Sequence, residues 1–223
     1  MLRDTTMRVY RGKTLSDIGD YISNGSLQIR QFATILIHVG TNDVSNLWQH
    51  NNTVGAERRL YDFSFLQPRV PNDIVQGFIA LVNLIRQFNS HAVVVFSAII
   101  PRPKDHAVTD SIIRDVNAGI MQYCNKHCDN MIFYPTYKWF SQSGQPVSAY
   151  FAKKDKLHLT DLGSARLRQA FQTCLTDTTL AAQIGKIQSS ARQRRRANKR
   201  INEWCTQGCN KRVRGVNNLI QLV

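Results

Sequence analysis

The sequence predicts an α/β fold in which helices cover both faces of a parallel sheet. Two stretches, Ala33–Val39 and Ala92–Ile100, are almost wholly apolar or β-branched, without the polar–apolar alternation of a half-exposed strand. Met131–Tyr134 is a third, shorter run of the same kind. Segments with helical spacing of apolar residues separate these strands. This alternation is typical of a parallel sheet with helices on both sides.

Local signals predict the remaining elements. We expect a short strand at Met7–Tyr10 and then a helix over Leu15–Ile22, with Thr14 or Ser16 as its N-cap. Later helices are expected to start at Pro71-Asn72-Asp73, to span about Ser111–His127, and to start after Thr160 or Asp161. The connection Val44–Pro71 is unusually long, which suggests a functional segment or a small element of its own, and residues 136–154 are expected to be irregular.

Charge and composition limit the class of protein. The chain has 223 residues and a net charge of +14, and residues 185–223 hold ten Lys and Arg residues against a single acidic one, Glu203. The basic character therefore belongs mainly to this extension. No apolar run approaches the ~18 residues of a membrane span and no signal peptide opens the chain, so we expect an intracellular protein, cytoplasmic or nuclear. The five cysteines are expected to be reduced thiols.

Polar residues that suit acyl-transfer chemistry follow the predicted strands. Gly12 follows the first strand, Asn42 the second, and Asp155 and His158 precede the last helix. An Asn side-chain amide and a Gly backbone N–H can stabilise an oxyanion, and an Asp can orient a His that acts as a base. Because the carboxyl ends of parallel strands meet at one edge, we expect these groups to form a site there.

These residues resemble motifs of the SGNH (GDSL-type) hydrolases, a family of serine esterases and lipases. Gly40-Thr41-Asn42-Asp43 resembles the family's GxND block, Asp155-Lys156-Leu157-His158 its DxxH block, and Arg11-Gly12-Lys13-Thr14 the block with an oxyanion-hole glycine. The resemblance covers about residues 1–176, and it is closest to the esterase-like domains of LINE-type retrotransposons in animals.

The resemblance implies a three-layer, flavodoxin-like α/β/α fold and a carboxylic ester as substrate. It gives His158 the role of base and Asp155 that of its orienting partner. Gly12 and Asn42 would hold the oxyanion, with support from the other residues of the second block, Gly40, Thr41 and Asp43. No metal or organic cofactor is implied.

The family's first block, Gly-Asp-Ser at the end of the first strand, has no counterpart in this sequence. Its serine is the family's nucleophile, and Met1-Leu2-Arg3 resembles what normally follows it. We therefore expect a chain that lacks the first strand and the nucleophile, and that is inactive as it stands. In the family's strand order, 2-1-3-4-5, the missing strand would lie between Met7–Tyr10 and Ala33–Val39, so we expect a gap in the sheet there.

Several of the candidate site residues could have a purely structural role instead of a functional one. Asn42 and Asp43 could simply cap a strand end, Gly12 could simply permit a turn, and His38 is expected to be a hydrogen-bonded core residue. Cys124 and Cys128 share a helix face but lack a second ligand pair, and Cys205 and Cys209 are equally isolated, so packing is favoured over zinc for both pairs.

The basic extension leaves two functional hypotheses open. Its cluster could be a solvated tail or could contact nucleic-acid phosphates; the residues are Arg192, Arg194, Arg195, Arg196, Lys199 and Arg200. The first hypothesis is an esterase-like domain over residues 1–184 with a basic extension over 185–223. The second is a non-catalytic, retrotransposon-derived protein that binds nucleic acid through the extension.

Overall fold

A computed structural model describes residues 8–10, 12–44, 69–103, 106–127, 130–154, 157–177, 180–190, 192–193 and 196–199. The helices are α1 (Leu15–Ser23), α2 (Arg69–Phe88), α3 (His106–Lys126) and α4 (Asp161–Thr176). The strands are β1 (Thr34–Ile37), β2 (Val93–Ser97), β3 (Met131–Tyr134), β4 (Ser141–Gln142) and β5 (Gln145–Pro146). Short 3-10 helices span Thr136–Trp139 and Ser148–Tyr150, and residues 41–44 and 180–190 are also helical.

Three parallel strands form the central sheet in the order β1-β2-β3. Leu36 pairs with Val95, and Val95 pairs with Ile132. Every residue of β2 is buried, because strands flank it on both sides and helices cover both faces. The apolar run that predicted this strand reflects that position.

Alternate side chains of the strands point into two separate cores. On one face, Ile35 and Val94 pack in the large core formed with α1, α2 and α3. On the other face, Leu36 and Val95 pack with Cys174 of α4 and with Leu180. The predicted α/β class is therefore confirmed, with helical layers on both faces of the sheet.

Threonine side chains cap the N-termini of two helices, as the sequence predicts. Thr14, and not Ser16, is the N-cap of α1; its hydroxyl accepts from the Asp17 N–H at 3.3 Å, and its own N–H donates to the Asp17 carboxylate at 2.8 Å. Thr160, and not Asp161, caps α4 by accepting from the Gly163 N–H at 3.1 Å. Each hydroxyl satisfies a backbone donor that the first helical turn leaves unpaired.

Three local predictions are wrong. Residues 8–10 are not a strand; the Tyr10 ring packs on the Tyr21 ring of α1, with centroids 4.9 Å apart. Helices α2 and α3 begin earlier than expected, at Arg69 and His106, and Pro71 is tolerated because a first helical turn does not need its N–H. Residues 136–154 are ordered by two 3-10 helices and the β4–β5 hairpin.

Most of the long connection predicted after Val44, residues 45–68, lies outside the described residues. Among the helices that the structure describes, none is both long and apolar enough to cross a membrane.

Candidate functional site

The turn after β1 is bonded directly to the loop before α1. The Asn42 Nδ2 donates to the Lys13 carbonyl oxygen at 3.0 Å. The Leu15 N–H donates to both carboxylate oxygens of Asp43, at 3.1 and 3.2 Å. Two adjacent residues of the Gly40–Asp43 turn thus hold the loop that contains Gly12, and the structure brings these two predicted motifs together at the carboxyl edge of the sheet.

Both predicted oxyanion donors are accessible in this arrangement. Gly12 is exposed and has a φ of +69°, a left-handed conformation that glycine adopts without strain. Asn42 is partly buried. Its side-chain amide has two N–H groups and uses one of them for the hydrogen bond to the Lys13 carbonyl. The amide carries a second N–H, and a side-chain N–H is the kind of donor that an oxyanion hole uses.

Burial raises the pKa of the Asp43 carboxyl above its ordinary value. The hydrogen bond from the Leu15 N–H opposes this shift, because it favours the ionised form. Asp43 therefore fixes the start of α1 and is not the free carboxylate that would be expected of a catalytic acid or base.

Gly40 allows the turn to pack tightly on the segment after β2. Its φ is +115°, and a Cβ built there would lie 2.6 Å from Cδ1 of Ile99. Ile99 is itself held by the buried Asn117, which accepts from the Ile99 N–H at 2.8 Å and donates to the Ile99 carbonyl at 2.9 Å. A larger residue at position 40 would force the Ile99 side chain to move and would hold a strained positive φ.

His38 is hydrogen-bonded, as expected, but it is only partly buried instead of lying in the core. Its Nδ1 lies 2.9 Å from the Ser97 hydroxyl, which lies 2.5 Å from the Thr136 hydroxyl, and its ring meets the Phe171 ring edge-on. Burial lowers the pKa of His38 to about 4, against the opposing effect of the Ser97 bond. Ser97 is fully buried, so its hydroxyl is not accessible to a substrate despite the nearby imidazole.

His158 lies on a separate anchored turn of the same sheet edge. The Ala152 N–H donates to the His158 carbonyl at 2.8 Å, and the neighbouring Leu159 pairs with Phe151 and packs near Ile100, just beyond β2. The imidazole of His158 is exposed. Its predicted partner Asp155 lies outside the described residues, so its pairing with His158 stays a prediction.

A groove of about 640 Å³ runs along the outer edge of β1, on the side away from β2. It touches every residue from Thr34 to Asn42. Successive strand side chains point to opposite faces, so a cavity that touches all of them must follow the strand edge and not one face. Its other walls come mainly from α1, residues 26–32 and the segment before α1, and include Ile18, Ile22, Leu27, Ile29, Arg8, Tyr10 and Lys13.

The groove thus lies between the segment 8–10 and β1, the two segments between which the family's strand order places its first strand. Within the described part of the chain, β1 pairs only with β2. Its outer backbone groups therefore face the groove.

The other predicted residues lie away from this edge or outside the description. Arg192, Arg196 and Lys199 are exposed in a helical segment, whereas Arg194, Arg195 and Arg200 lie outside the described residues. Cys124 is buried in the large core, and burial raises the pKa of its thiol to about 12. Cys128, Cys205 and Cys209 also lie outside the description.

The sequence prediction missed Arg102. This residue is only 5% exposed, and its Nη1 donates to the Thr41 carbonyl at 3.1 Å. The signal that could have found it is a lone charge between Pro101 and Pro103, directly after a buried strand.

Solved structures support the fold. A protein from Streptococcus pneumonia assigned as a platelet activating factor is 16% identical, with a TM-score of 0.55 over 74% of this chain and 69% of that chain. A member of the lipolytic G-D-S-L family from Veillonella parvula is 17% identical, with a TM-score of 0.52 over 75% and 76%. Both likenesses show the fold alone.

The esterase domain of the ORF1 protein from the zebrafish ZfL2-1 retrotransposon is 16% identical, over 78% of this chain and 91% of that chain. Its TM-score of 0.41 is too low to carry an argument about ancestry. No curated protein matches the sequence significantly.

The family comparison is more direct. The model of the GDSL-like Lipase/Acylhydrolase family matches residues 4–166, which include the Gly12 loop, the Gly40–Asp43 turn and His158. This match covers well over half of the chain. The chain therefore belongs to the GDSL-like lipase/acylhydrolase family.

Proposed function

We propose that residues 8–177 form the scaffold of a carboxylic ester hydrolase whose nucleophilic serine is supplied by a strand that occupies the groove beside β1. The observation that carries this proposal is the pair of bonds, Asn42 to Lys13 and Leu15 to Asp43, that hold the two oxyanion-donor motifs against each other. This arrangement opens onto the groove, whose lining includes Lys13 and Asn42.

In the proposed reaction, the serine Oγ attacks the ester carbonyl carbon while His158 takes the serine proton. The Gly12 N–H and the Asn42 Nδ2–H bind the resulting oxyanion. The intermediate expels the alcohol, which receives the proton from His158, and leaves an acyl-serine. Water then attacks the acyl group with His158 again as base, which releases the acid and restores the serine. Asp155 is assigned the role of orienting His158.

The groove gives a physical reason to place the nucleophile on a strand. Its wall is the unpaired edge of a parallel sheet, so an added strand would gain backbone hydrogen bonds along β1. A strand parallel to β1 would end at the edge where Gly40–Asp43 lies, and a serine just past its last residue would face Asn42. We propose that ester hydrolysis requires this strand, because His158 and the oxyanion donors then have a serine to act with.

The test compares this chain with a version that carries, upstream of Met1, a strand ending in Gly-Asp-Ser. Both are assayed for p-nitrophenyl acetate hydrolysis. We expect activity only in the extended version, and we expect His158→Ala to abolish it. The matched control is His91→Ala, since His91 is an exposed histidine that directly precedes the β2 segment, at the opposite edge of the sheet. No hydrolysis by the extended version, or equal loss in both variants, would refute the proposal.

A second candidate function rests on the helical segment after residue 180. Arg192, Arg196 and Lys199 are exposed, and each lies in a helical stretch of the described residues; in a continuous helix their i, i+4 and i+7 spacing would place three cations on one face. We propose that this face contacts nucleic-acid phosphates without sequence preference.

Fluorescence anisotropy with a labelled duplex across a salt series tests this second proposal. We expect the slope of log affinity against log salt concentration to become less negative by about 3 when the three residues are replaced by Gln. Each phosphate contact contributes about 0.9 to the magnitude of this slope. The control removes three exposed cations elsewhere, Lys153, Lys154 and Arg168. An equal effect from the control set would show non-specific attraction to net charge and would contradict a dedicated face.

A further inference from the structure

We infer that Arg102 is a positioning residue that holds Asn42 in its oxyanion-binding orientation; this inference rests on the proposed function. Arg102 follows β2, whereas Asn42 follows β1, so the two residues stand on neighbouring strand ends. The Nη1 of Arg102 bridges these ends by donating to the Thr41 carbonyl oxygen.

The bonded oxygen is the one that controls the backbone of Asn42. The Thr41 carbonyl belongs to the peptide group that joins Thr41 to Asn42, and that group is planar. A bond that fixes the oxygen therefore also fixes the plane that carries the Asn42 N–H. The Asn42 side chain is fixed separately by the Lys13 carbonyl, and Asp43 by the Leu15 N–H.

These three contacts hold the consecutive residues Thr41, Asn42 and Asp43 from two sides. Lys13 and Leu15 hold the turn from the side of α1, and Arg102 holds it from the side of β2. Arg102 therefore ties the turn after β1 to the neighbouring strand end as well as to the loop before α1.

The chemistry of arginine suits this place. A guanidinium keeps its charge at any ordinary pH, and charge-assisted hydrogen bonds are stronger than neutral ones. Pro101 and Pro103 restrict the backbone on both sides of Arg102, so the side chain leaves the chain in a defined direction.

The first test uses the chain as it stands and two arginine variants, Arg102→Met and Arg86→Met. Arg86 is the matched control, since its Nη2 donates to Asn130 at 2.7 Å at the opposite edge of the sheet. The reporters in ¹⁵N NMR are the Asn42 side-chain amide and the exchange of the Val44 N–H, which donates to Gly40. The Val94 N–H, which donates to Asn130, reports on the far edge.

We expect Arg102→Met to shift the Asn42 amide signals and to speed Val44 exchange about tenfold or more, with Val94 unchanged. Arg86→Met should leave the Asn42 and Val44 signals unchanged. Unchanged Asn42 and Val44 signals in Arg102→Met would overturn the inference. An equal acceleration at Val44 and Val94 would also overturn it, because it would indicate only a general loss of stability.

The second test measures hydrolysis by the upstream-extended version. Arg102→Met should lower kcat about ten- to a hundredfold with little change in KM, less than the ~10²–10³-fold loss typical of removing an oxyanion donor itself. Arg102→Lys, which keeps the charge, should recover part of the loss. Failure of the unmutated extended version to hydrolyse esters would refute the proposed function, whereas the NMR result decides the role of Arg102 independently.

Discussion

Substituting Gly40 by alanine tests the packing that holds the turn after β1. The added Cβ would lie 2.6 Å from Cδ1 of Ile99, and the residue would keep a φ of +115° that alanine adopts only with strain. The backbone strain is about 1–3 kcal/mol, and overpacking a tight contact adds a similar ~1–3 kcal/mol. We therefore expect Gly40→Ala to lower the free energy of unfolding by about 2–6 kcal/mol, measured by urea denaturation. A loss below about 0.5 kcal/mol, the range of an ordinary surface change, would refute this reasoning.

Three further variants separate the backbone strain from the clash with Ile99. Gly12→Ala has a φ of +69° but no atom within 4 Å of the new Cβ, so it should cost the strain alone, about 1–2 kcal/mol. Ile99→Val removes the Cδ1 atom that meets the new Cβ. The double variant Gly40→Ala/Ile99→Val should therefore be more stable than the sum of the two single effects predicts. Strict additivity would contradict a clash at Ile99.

The remaining predictions concern stability, measured by urea or thermal denaturation. His38 stays neutral in the folded protein down to a pKa of about 4 but protonates near 6.5 when unfolded, so stability should fall by up to about 3 kcal/mol as pH drops from 6.5 to 4. His38→Gln should remove this component, and an unchanged pH profile would contradict it. Asn117→Ala loses both bonds to Ile99 and should cost about 2–4 kcal/mol, whereas a loss under about 1 kcal/mol would show that those bonds matter little. Thr14→Ala removes the α1 cap and should cost about 1 kcal/mol; no measurable change would contradict the role of the cap.

The sequence predicts the core elements well because their signals are local. A strand such as β2, buried on both faces, must be apolar throughout, and Val93–Ser97 lies inside the predicted Ala92–Ile100. The caps at Thr14 and Thr160 are also local, since a hydroxyl three residues before a helical N–H is enough to define them. The proximity of the Gly12 loop to Asn42 is predicted from the rule that parallel strands end at one edge, but residues 8–10 are not a strand, and hydrogen bonds that join the loop to Asn42 and Asp43 account for the contact instead.

The rest depends on contacts between distant residues. The tripeptide before Arg11 has the composition of a strand, but Tyr10 packs on α1 instead of entering the sheet. Arg102 is 61 residues from Thr41 in the chain, so no local pattern reveals that the two are bonded. The hydrogen-bonded chain from His38 through Ser97 to Thr136 likewise joins three different strand ends.

The most direct test of the proposed site is the kcat of the upstream-extended version with Asn42→Ala, measured beside Asn125→Ala, which changes an exposed asparagine on α3. Urea denaturation of both variants checks that each remains folded. If Asn42 stabilises the oxyanion, Asn42→Ala lowers kcat about 10²–10³-fold with KM nearly unchanged, and Asn125→Ala has no effect. A folded Asn42→Ala variant with the kcat of the parent would contradict the assignment of the oxyanion site.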